Sequence, residues 1–268
     1  MSISTLDGVI AGFKPPMPIV KVGITTAAVS AMRGYTLWYA SGNPGAATAP
    51  SAGINGTAVS TPKAGEIPRT DPGSGNAYLG RFSINSSTAG VMMLIDRLWE
   101  NSGLSVTSTS AQAITPASLP SRDSNASTNG DAVLAAVEWS ATGGPGTPTV
   151  TLTYTDQSGN TGATGTLTGV TTPPVGTFEI FTLAAGDTGI RAPTSFIQSA
   201  SRISGTMHLV LFRILAQVEV SDANIGSAID ALTSGMPRLY NGTCLQLVWF
   251  PSATTATNFT GTYIETQG

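Results

Sequence analysis

The chain has 268 residues, of which 41% are hydrophobic and only 10% are charged, and its formal net charge is −3. Ordinary soluble domains carry about 25% charged residues, so this composition predicts a surface of Ser, Thr and Ala that costs little to desolvate and suits contact with other subunits. The alternative is a secreted or low-charge β protein. The three lysines form no basic patch, which argues against direct nucleic-acid binding and against attraction to anionic membranes.

Residues 1–77 predict an extended N-terminal arm followed by a Gly/Pro/Ala-rich loop. Leu6, Val9 and Ile10 have the spacing of one helical turn, and the segment Phe13–Pro18 then favours an extended path because proline fixes φ. The stretch from 41 to 77 contains few large apolar side chains, and loops of this length are normally functional or disordered. The chain starts without the pattern of a signal peptide, so we expect it to be made in a cytoplasm.

Residues 78–268 predict a β domain, because apolar side chains alternate in one segment after another. In the clearest case, Val150, Leu152 and Tyr154 share one face of a strand whose other face carries threonines. The expected fold is mainly β, an antiparallel β-sandwich or jelly-roll-like architecture preceded by the arm. Residues 131–220 are compatible with an immunoglobulin-like sub-domain.

One short helix is expected in the C-terminal third, at about Ala223–Ser234. Asp222 is a suitable N-cap residue, and Ile225 and Ile229 fall on one helical face. Gly235 follows the last residue of this pattern, as glycine often does at the end of a helix.

The sequence offers no convincing catalytic or metal site, and we predict that the protein is not an enzyme and needs no cofactor. The only histidine, His208, lies in a predicted strand, where a packed or hydrogen-bonded imidazole is expected. Asp96 and Glu100 are four residues apart on a strand, so they lie about 13 Å apart, too far for a catalytic carboxylate pair. Residues 123–131 resemble a calcium loop only superficially, and a polar turn is expected there. The only cysteine, Cys244, excludes an intramolecular disulfide and predicts a buried strand thiol.

Six residues are candidate contacts with other subunits: Phe13, Pro15, Pro16, Arg97, Arg213 and Arg238. The first three belong to the Pro-rich part of the arm, whose extended path is partly pre-ordered. The three arginines lie inside or beside apolar segments, and arginine is favoured at interfaces because its planar guanidinium makes bidentate contacts. An internal salt bridge is an equally good interpretation of each arginine.

Six segments are distinctive when taken together: Ser4–Phe13 with the following prolines, Met93–Gly103, Ala185–Arg191, Ala228–Tyr240, Pro251–Thr257 and Thr266–Gly268. Together they resemble a family of phage-encoded virion proteins, similar to proteins encoded among phage head genes. The resemblance spans most of the chain and implies a particle component of a tailed bacteriophage. It brings no catalytic residues with it.

The expected role is therefore that of a non-enzymatic virion protein, a capsid decoration or minor head protein assembled in the cytoplasm of the host bacterium. The expected partners are the protein itself, as a homo-oligomer and from shell symmetry a trimer, and the major capsid protein or other virion proteins. Such a protein should show a flat, weakly charged contact face and an ordered arm. The alternative is a tail, neck or fibre-associated protein that binds host-surface carbohydrate, with exposed aromatics beside Asp or Asn in a concave site.

Overall fold

Three antiparallel sheets make up the computed structural model, which describes residues 3, 5–24 and 31–268. Within these residues the only helix has six residues, far fewer than the span of a bilayer requires, and strands dominate, which confirms the mainly-β prediction. In chain order the elements are α1 (Leu6–Ala11), β1 (Met17–Ile24), β2 (Gly34–Thr36), β3 (Gly42–Asn43), β4 (Thr57–Ala58), β5 (Ala77–Ser86), β6 (Gly90–Glu100), β7 (Gln112–Ala113), β8 (Val133–Ala141), β9 (Thr149–Asp156), β10 (Thr161–Thr168), β11 (Thr177–Ile180), β12 (Ile190–Gln198), β13 (Thr206–Val220), β14 (Ser227–Asp230), β15 (Arg238–Leu239), β16 (Leu245–Pro251) and β17 (Thr257–Gln267).

The central sheet closes on itself as a barrel, with β13, β8, β11, β2, β16 and β6 following one another before β6 pairs again with β13. Closure is possible because β13 is long: its first half pairs with β8, and its second half continues along β6. A closed barrel leaves none of these strands as a free edge. The short strand β4 pairs with the end of β6.

The inside of the barrel changes character from one end to the other. One end is apolar, with Met93, Ile95 and Val248 packed around Phe178 and Phe212, whose rings meet edge to face at 5.3 Å between centroids. The other end is filled by charged and polar side chains from β6, β8 and β16. The polar end is described with the candidate site below.

Two further sheets cover the barrel from outside. The outer sheet has the order β14-β5-β17-β1-β3, with β15 also on β5, and it packs Ile19, Phe82 and Tyr263 into an apolar layer with Leu94 and Trp249 of the barrel. The small sheet has the order β10-β9-β12-β7 and shares a second apolar layer with the barrel strands β8 and β13. A strand such as β6 is therefore buried on both faces: one face lies inside the barrel, and the other is covered by the outer sheet.

The predicted helix at Ala223–Ser234 is wrong, because this segment forms the strand β14 and a turn. Ser227–Asp230 pairs with residues 81–84 of β5, so main-chain bonding to the sheet replaces helical bonding. Asp230 accepts hydrogen bonds from the main-chain N–H groups of Leu232 (3.0 Å) and Thr233 (3.1 Å), a turn that Asp favours in competition with helix. Ile225 and Leu232 remain exposed while Ile229 packs against the apolar layer under the outer sheet, so the three side chains do not share one buried face.

Residues 1–77, predicted as an arm and a loop, contribute strands to two of the sheets. Strand β1 pairs with β17 in the outer sheet, and β2 lies between β11 and β16 in the barrel wall. Residues 131–220, compatible in sequence with an immunoglobulin-like unit, divide between two sheets: β8, β11 and β13 belong to the barrel and β9, β10 and β12 to the small sheet.

A candidate assembly surface and the buried charges behind it

Almost half of the charged side chains are withdrawn from the surface. The chain has 12 basic and 15 acidic residues, all within the described part, and 13 of these 27 are buried. The other 14 charged residues are at least partly exposed on a surface of 10647 Å², but the side chain of one of them, Arg69, is itself fully buried. The buried ones are Lys21, Glu66, Asp96, Arg97, Glu100, Arg122, Asp123, Glu138, Asp156, Glu179, Arg202, Arg213 and Glu265.

The polar end of the barrel is organised around Arg97. Its guanidinium donates to Glu100 (Nε to Oε2, 2.7 Å) and to Glu138 (Nη2 to Oε2, 2.8 Å), while Tyr39 donates to the same Glu138 oxygen at 3.0 Å. Lys63 forms a second ion pair with Glu100. Burial acts to raise the pKa of Glu100, but Arg97 and Lys63 outweigh it and lower that pKa. Glu100 and Glu138 are both buried and both pair with the buried Arg97, so neither carboxylate is accessible to a substrate.

His208 is hydrogen-bonded on both sides of its ring within the barrel, as the sequence predicted. Its Nδ1 lies 2.9 Å from the carbonyl oxygen of Asn101, and its Nε2 lies 2.7 Å from Oγ of Ser140. Burial lowers the pKa of His208. Both ring nitrogens are thus used by the fold.

Asp96 is the centre of a second buried cluster. Its carboxylate accepts from the main-chain N–H of Cys244 at 3.0 Å and lies 3.4 Å from Arg122 and 3.7 Å from Arg213. Burial raises the pKa of Asp96, and the two arginines oppose that effect. Cys244 is fully buried, as predicted for its thiol, but it lies immediately before β16 and not within a strand.

The three arginines proposed as interface residues have different positions. Arg97 and Arg213 make the internal ion pairs that were the alternative interpretation, and both are buried. Arg238 is exposed, and its guanidinium carbon lies 5.0 Å from the ring centre of Tyr240. We therefore keep Arg238 as a surface candidate and leave Arg97 and Arg213 out of the surface.

The loop at 123–131 is held by hydrogen bonds to the carboxylate of Asp123. One of its oxygens accepts from the N–H groups of Asn125 (3.0 Å) and Ser127 (2.7 Å), and the other accepts from those of Gly130 and Asp131, both at 3.1 Å. N–H donors occupy the lone pairs that a metal would need. Within the ranges described, no group of three acidic, histidine or cysteine side chains is arranged to hold a metal ion.

The exposed apolar side chains concentrate at the N-terminus, whereas all four tryptophans are buried. Five of the ten large exposed ones in the described residues lie within the first 22 positions. The ten are Leu6, Ile10, Phe13, Val20, Val22, Met32, Val175, Ile203, Ile225 and Leu232.

The N-terminal segment, residues 5–16, is fastened to the end of β17. Thr5 caps α1 by accepting from the N–H of Gly8 at 3.1 Å, and Val9 is buried with its carbonyl accepting from Thr266 at 2.8 Å. Leu6 (58% exposed), Ile10 (57%) and Phe13 (42%) remain in water, and we call these three residues the N-terminal patch. Pro15 and Pro16 are exposed next to it.

Strand β1 has an inverted orientation. Hydropathy alone would place Lys21 in water and Val20 and Val22 in the core, but Lys21 shares the face of the fully buried Ile19. In the structure Lys21 is buried and donates to the carbonyl of Ala40 at 2.9 Å, burial lowers its pKa to about 8, and both valines are exposed. Lys21 and the two valines were not predicted from the sequence as surface candidates. The pattern Pro-Ile-Val-Lys-Val, with a lysine between two valines, is the signal that could have found them.

The two valines lie on the uncovered face of the outer sheet, which we call the outer face. Val20 is paired with Thr260, and Thr260 with Asn85, so the neighbours across the sheet are small and uncharged. The charged side chains there, Arg81 and Asp230, oppose each other on adjacent strands. The outer face is therefore close to neutral, broad and partly apolar.

Comparison of the chain with models of known protein families, with curated proteins and with solved structures finds no match.

Proposed function

We propose that the protein is a non-enzymatic structural component of a tailed-phage virion, a capsid decoration or minor head protein that binds the major capsid protein and further copies of itself. The observation that carries this proposal is the inverted strand β1. Burying Lys21 while exposing Val20 and Val22 costs free energy in the isolated chain. That cost is understandable if the outer face becomes buried when the protein assembles.

The distribution of charge supports the same role. Charges that stay in water must be desolvated when two proteins meet, and this chain buries almost half of its charged residues, eight of the thirteen in ion pairs. The outer face carries Thr, Asn, Val and one opposed pair of charges, Arg81 and Asp230, so it costs less to desolvate than a surface with the ordinary share of charges. The proposed interface consists of this face together with the N-terminal segment, which includes Phe13, Pro15 and Pro16, and with Arg238 on β15.

The buried groups are consistent with a non-enzymatic protein that uses no cofactor. Glu100 and Glu138 are bound to buried cations, and both nitrogens of His208 are hydrogen-bonded. For the carbohydrate-binding alternative, Tyr240 is half-buried, and Arg213 and Arg238 both lie 5.0 Å from its ring centre and compete with a sugar for the ring. The scarcity of exposed cations likewise favours protein partners over nucleic acid or membrane.

The finer architecture is part of this proposal. The small sheet packs Leu152 and Phe196 against Trp139 and Leu209 of the barrel through a shared apolar layer. Face-to-face packing of two antiparallel sheets is the arrangement of a β-sandwich, and jelly-roll folds arrange two sheets in a related way. We propose that this half of the molecule is sandwich-like.

Quantitative mass spectrometry of purified particles tests the role. A shell protein that repeats one contact at each local symmetry position, as a trimer would, should be present at on the order of hundreds of copies. About a dozen copies or fewer would place the protein at the neck or tail and favour the alternative, and absence from particles would reject a virion role.

A matched pair of variants tests the surface. The double variant Val20→Asp/Val22→Asp should fold but fail to join particles, because charges on the outer face would have to be desolvated. Ile203→Asp is the control, since Ile203 is another exposed apolar residue outside the outer face. Equal incorporation of the two variants would show that the outer face is not the contact.

A further inference from the structure

A small groove of about 250 Å³ lies beside β15. Its polar lining side chains are Asn76, Ser121, Arg238, Tyr240 and Asn241, and no carboxylate is among its lining residues. Sites for small molecules usually enclose about 300–1,000 Å³, so a groove of this size fits a single side chain better than a whole ligand. We call it the Arg238 groove.

Arg238 is exposed, but its guanidinium is fixed in place. Its Nη2 donates to Oδ1 of Asn76, and its central carbon lies 5.0 Å from the ring centre of Tyr240. These two neighbours orient the guanidinium before any partner arrives. Its Nε and Nη1 have no hydrogen-bond partner among the residues that the structure describes, so both remain available to an acceptor in the groove.

The surroundings of the groove carry an excess of positive charge. Within the described part of the chain, no carboxylate lies at ion-pair distance from Arg238. Behind the groove, the buried Arg122 and Arg213 share the single carboxylate of Asp96. Arg213 also donates to the main-chain carbonyl of Arg238 at 2.9 Å, so the two arginines are neighbours. An anion bound in the groove would therefore be attracted by more than one cation.

A carboxylate is the anion that this arrangement fits. Guanidinium and carboxylate groups are both planar and can form two parallel hydrogen bonds, which adds geometric fit to the attraction of charge. Asp71 accepts from the N–H of Gly242 beside the groove, but it pairs with Arg69 and leaves Arg238 without an anion. The amide of Asn241, exposed in the lining of the groove, can donate to the same carboxylate.

We propose that the Arg238 groove receives an aspartate or glutamate side chain of the protein to which this chain docks. The inference rests on the proposed function and deepens it, since it names the chemical group that one part of the proposed interface recognises. Ion pairs between two mobile side chains contribute little, because both must lose freedom. Asn76 and Tyr240 have already ordered the arginine, so only the partner's side chain loses freedom on binding.

Side-chain NMR of the purified full chain tests the site with defined probes. The peptide Ac-Gly-Glu-Gly-NH2 should shift the Nε–Hε resonance of Arg238 with about millimolar affinity, whereas Ac-Gly-Gln-Gly-NH2 should not. Arg191 is the internal control, because it is also exposed and outside every ion pair of the described residues.

Two results of this titration would overturn the proposal. The first is a glutamate peptide that leaves the Arg238 resonance unmoved or moves that of Arg191 equally. The second is tighter binding of inorganic phosphate than of the glutamate peptide, since the groove would then select a different class of anion.

Assembly with variant proteins connects the site to docking. Arg238→Gln removes the charge and should lower incorporation into particles about tenfold or more, and Arg238→Lys, which keeps the charge without the planar fork, should give a smaller loss. Arg191→Gln should incorporate like the wild type. These positions are exposed, so loss of folding is not expected. Normal incorporation of Arg238→Gln would overturn the inference alone, because the virion role is decided separately by the copy number of the wild-type protein.

Discussion

The polar end of the barrel and the outer face treat charged and apolar side chains in opposite ways. In the barrel, Arg97, Glu100 and Glu138 are buried and satisfy one another. On the outer face, Val20 and Val22 are exposed while Lys21 of the same strand is buried. The first region is complete within a single chain, whereas the second leaves apolar side chains in water, as the proposed interface requires.

Because of this difference, the barrel cluster should matter mainly for the stability of the fold, and the outer face mainly for the proposed association. Buried ion pairs contribute little net stability compared with apolar packing, but removing one partner is costly. Exposed valines contribute little to the isolated fold and gain their full effect only when another surface covers them. Mutations in the two regions should therefore have different consequences, and three measurements sharpen the contrast.

The largest effect is expected for Arg97→Met. The substitution leaves Glu100 and Glu138 without their central cation in a buried site, so the free energy of unfolding should fall by about 3–5 kcal/mol. Urea denaturation at neutral pH measures it. The control is Arg81→Met on the outer face, which should change stability by less than about 0.5 kcal/mol. Similar small losses for both arginines would mean that the barrel cluster is not a structural unit.

A smaller effect is expected from titrating Lys21. Its pKa is lowered from 10.5 to about 8 in the folded protein, so between these pH values the unfolded chain binds more protons than the folded chain. Stability contributed by Lys21 should therefore rise as the pH rises from about 8 to 10.5, by up to about 3 kcal/mol.

Comparison with Lys21→Met isolates this contribution, because every other ionisable group is common to the two proteins. The wild-type stability should rise relative to the variant as the pH is raised, as measured by urea denaturation at each pH. Parallel curves for the two proteins would show that Lys21 is not held in a desolvated position.

The smallest effect on stability is expected for Val20→Thr/Val22→Thr. Both side chains are exposed, so the free energy of unfolding should change by less than about 0.5 kcal/mol. Ile19→Thr, one position away on the buried face, should cost about 2 kcal/mol or more because it places a hydroxyl in the core. Equal losses at the two faces would contradict the inverted orientation of β1.

The sequence pattern was sufficient to predict the local structure wherever one face of a strand or helix packs on the core, because the apolar residues then recur at a regular spacing. The strand β9 has the alternation read from Val150, Leu152 and Tyr154, and all three side chains are buried. The helical turn at Leu6–Ile10 and the buried thiol of Cys244 were also correct. The predicted helix near Ile225 failed because pairing with β5 and the turn at Asp230 provide hydrogen bonds that no local pattern reveals.

The candidate surface was only half visible in the sequence. The Pro-rich segment with Phe13 was recognised, because proline constrains the chain locally. Arg97 and Arg213 were ambiguous, since an arginine within an apolar run suits an interface and an internal ion pair equally well. Their partners lie far away in the sequence, Glu138 for Arg97 and Asp96 for Arg213. Only the fold therefore decides between an interface residue and an internal ion pair.

The sequence by itself determined that this is a mainly-β protein with few charges, because composition and period-2 alternation are local properties. Only the tertiary structure decided that six strands among the described residues close into a barrel and that Arg97 is enclosed in it. It also decided which side of β1 faces water. The physical reason is that one residue of register reverses every side chain of a strand, and register is set by pairing with β17, more than 230 residues away in the chain.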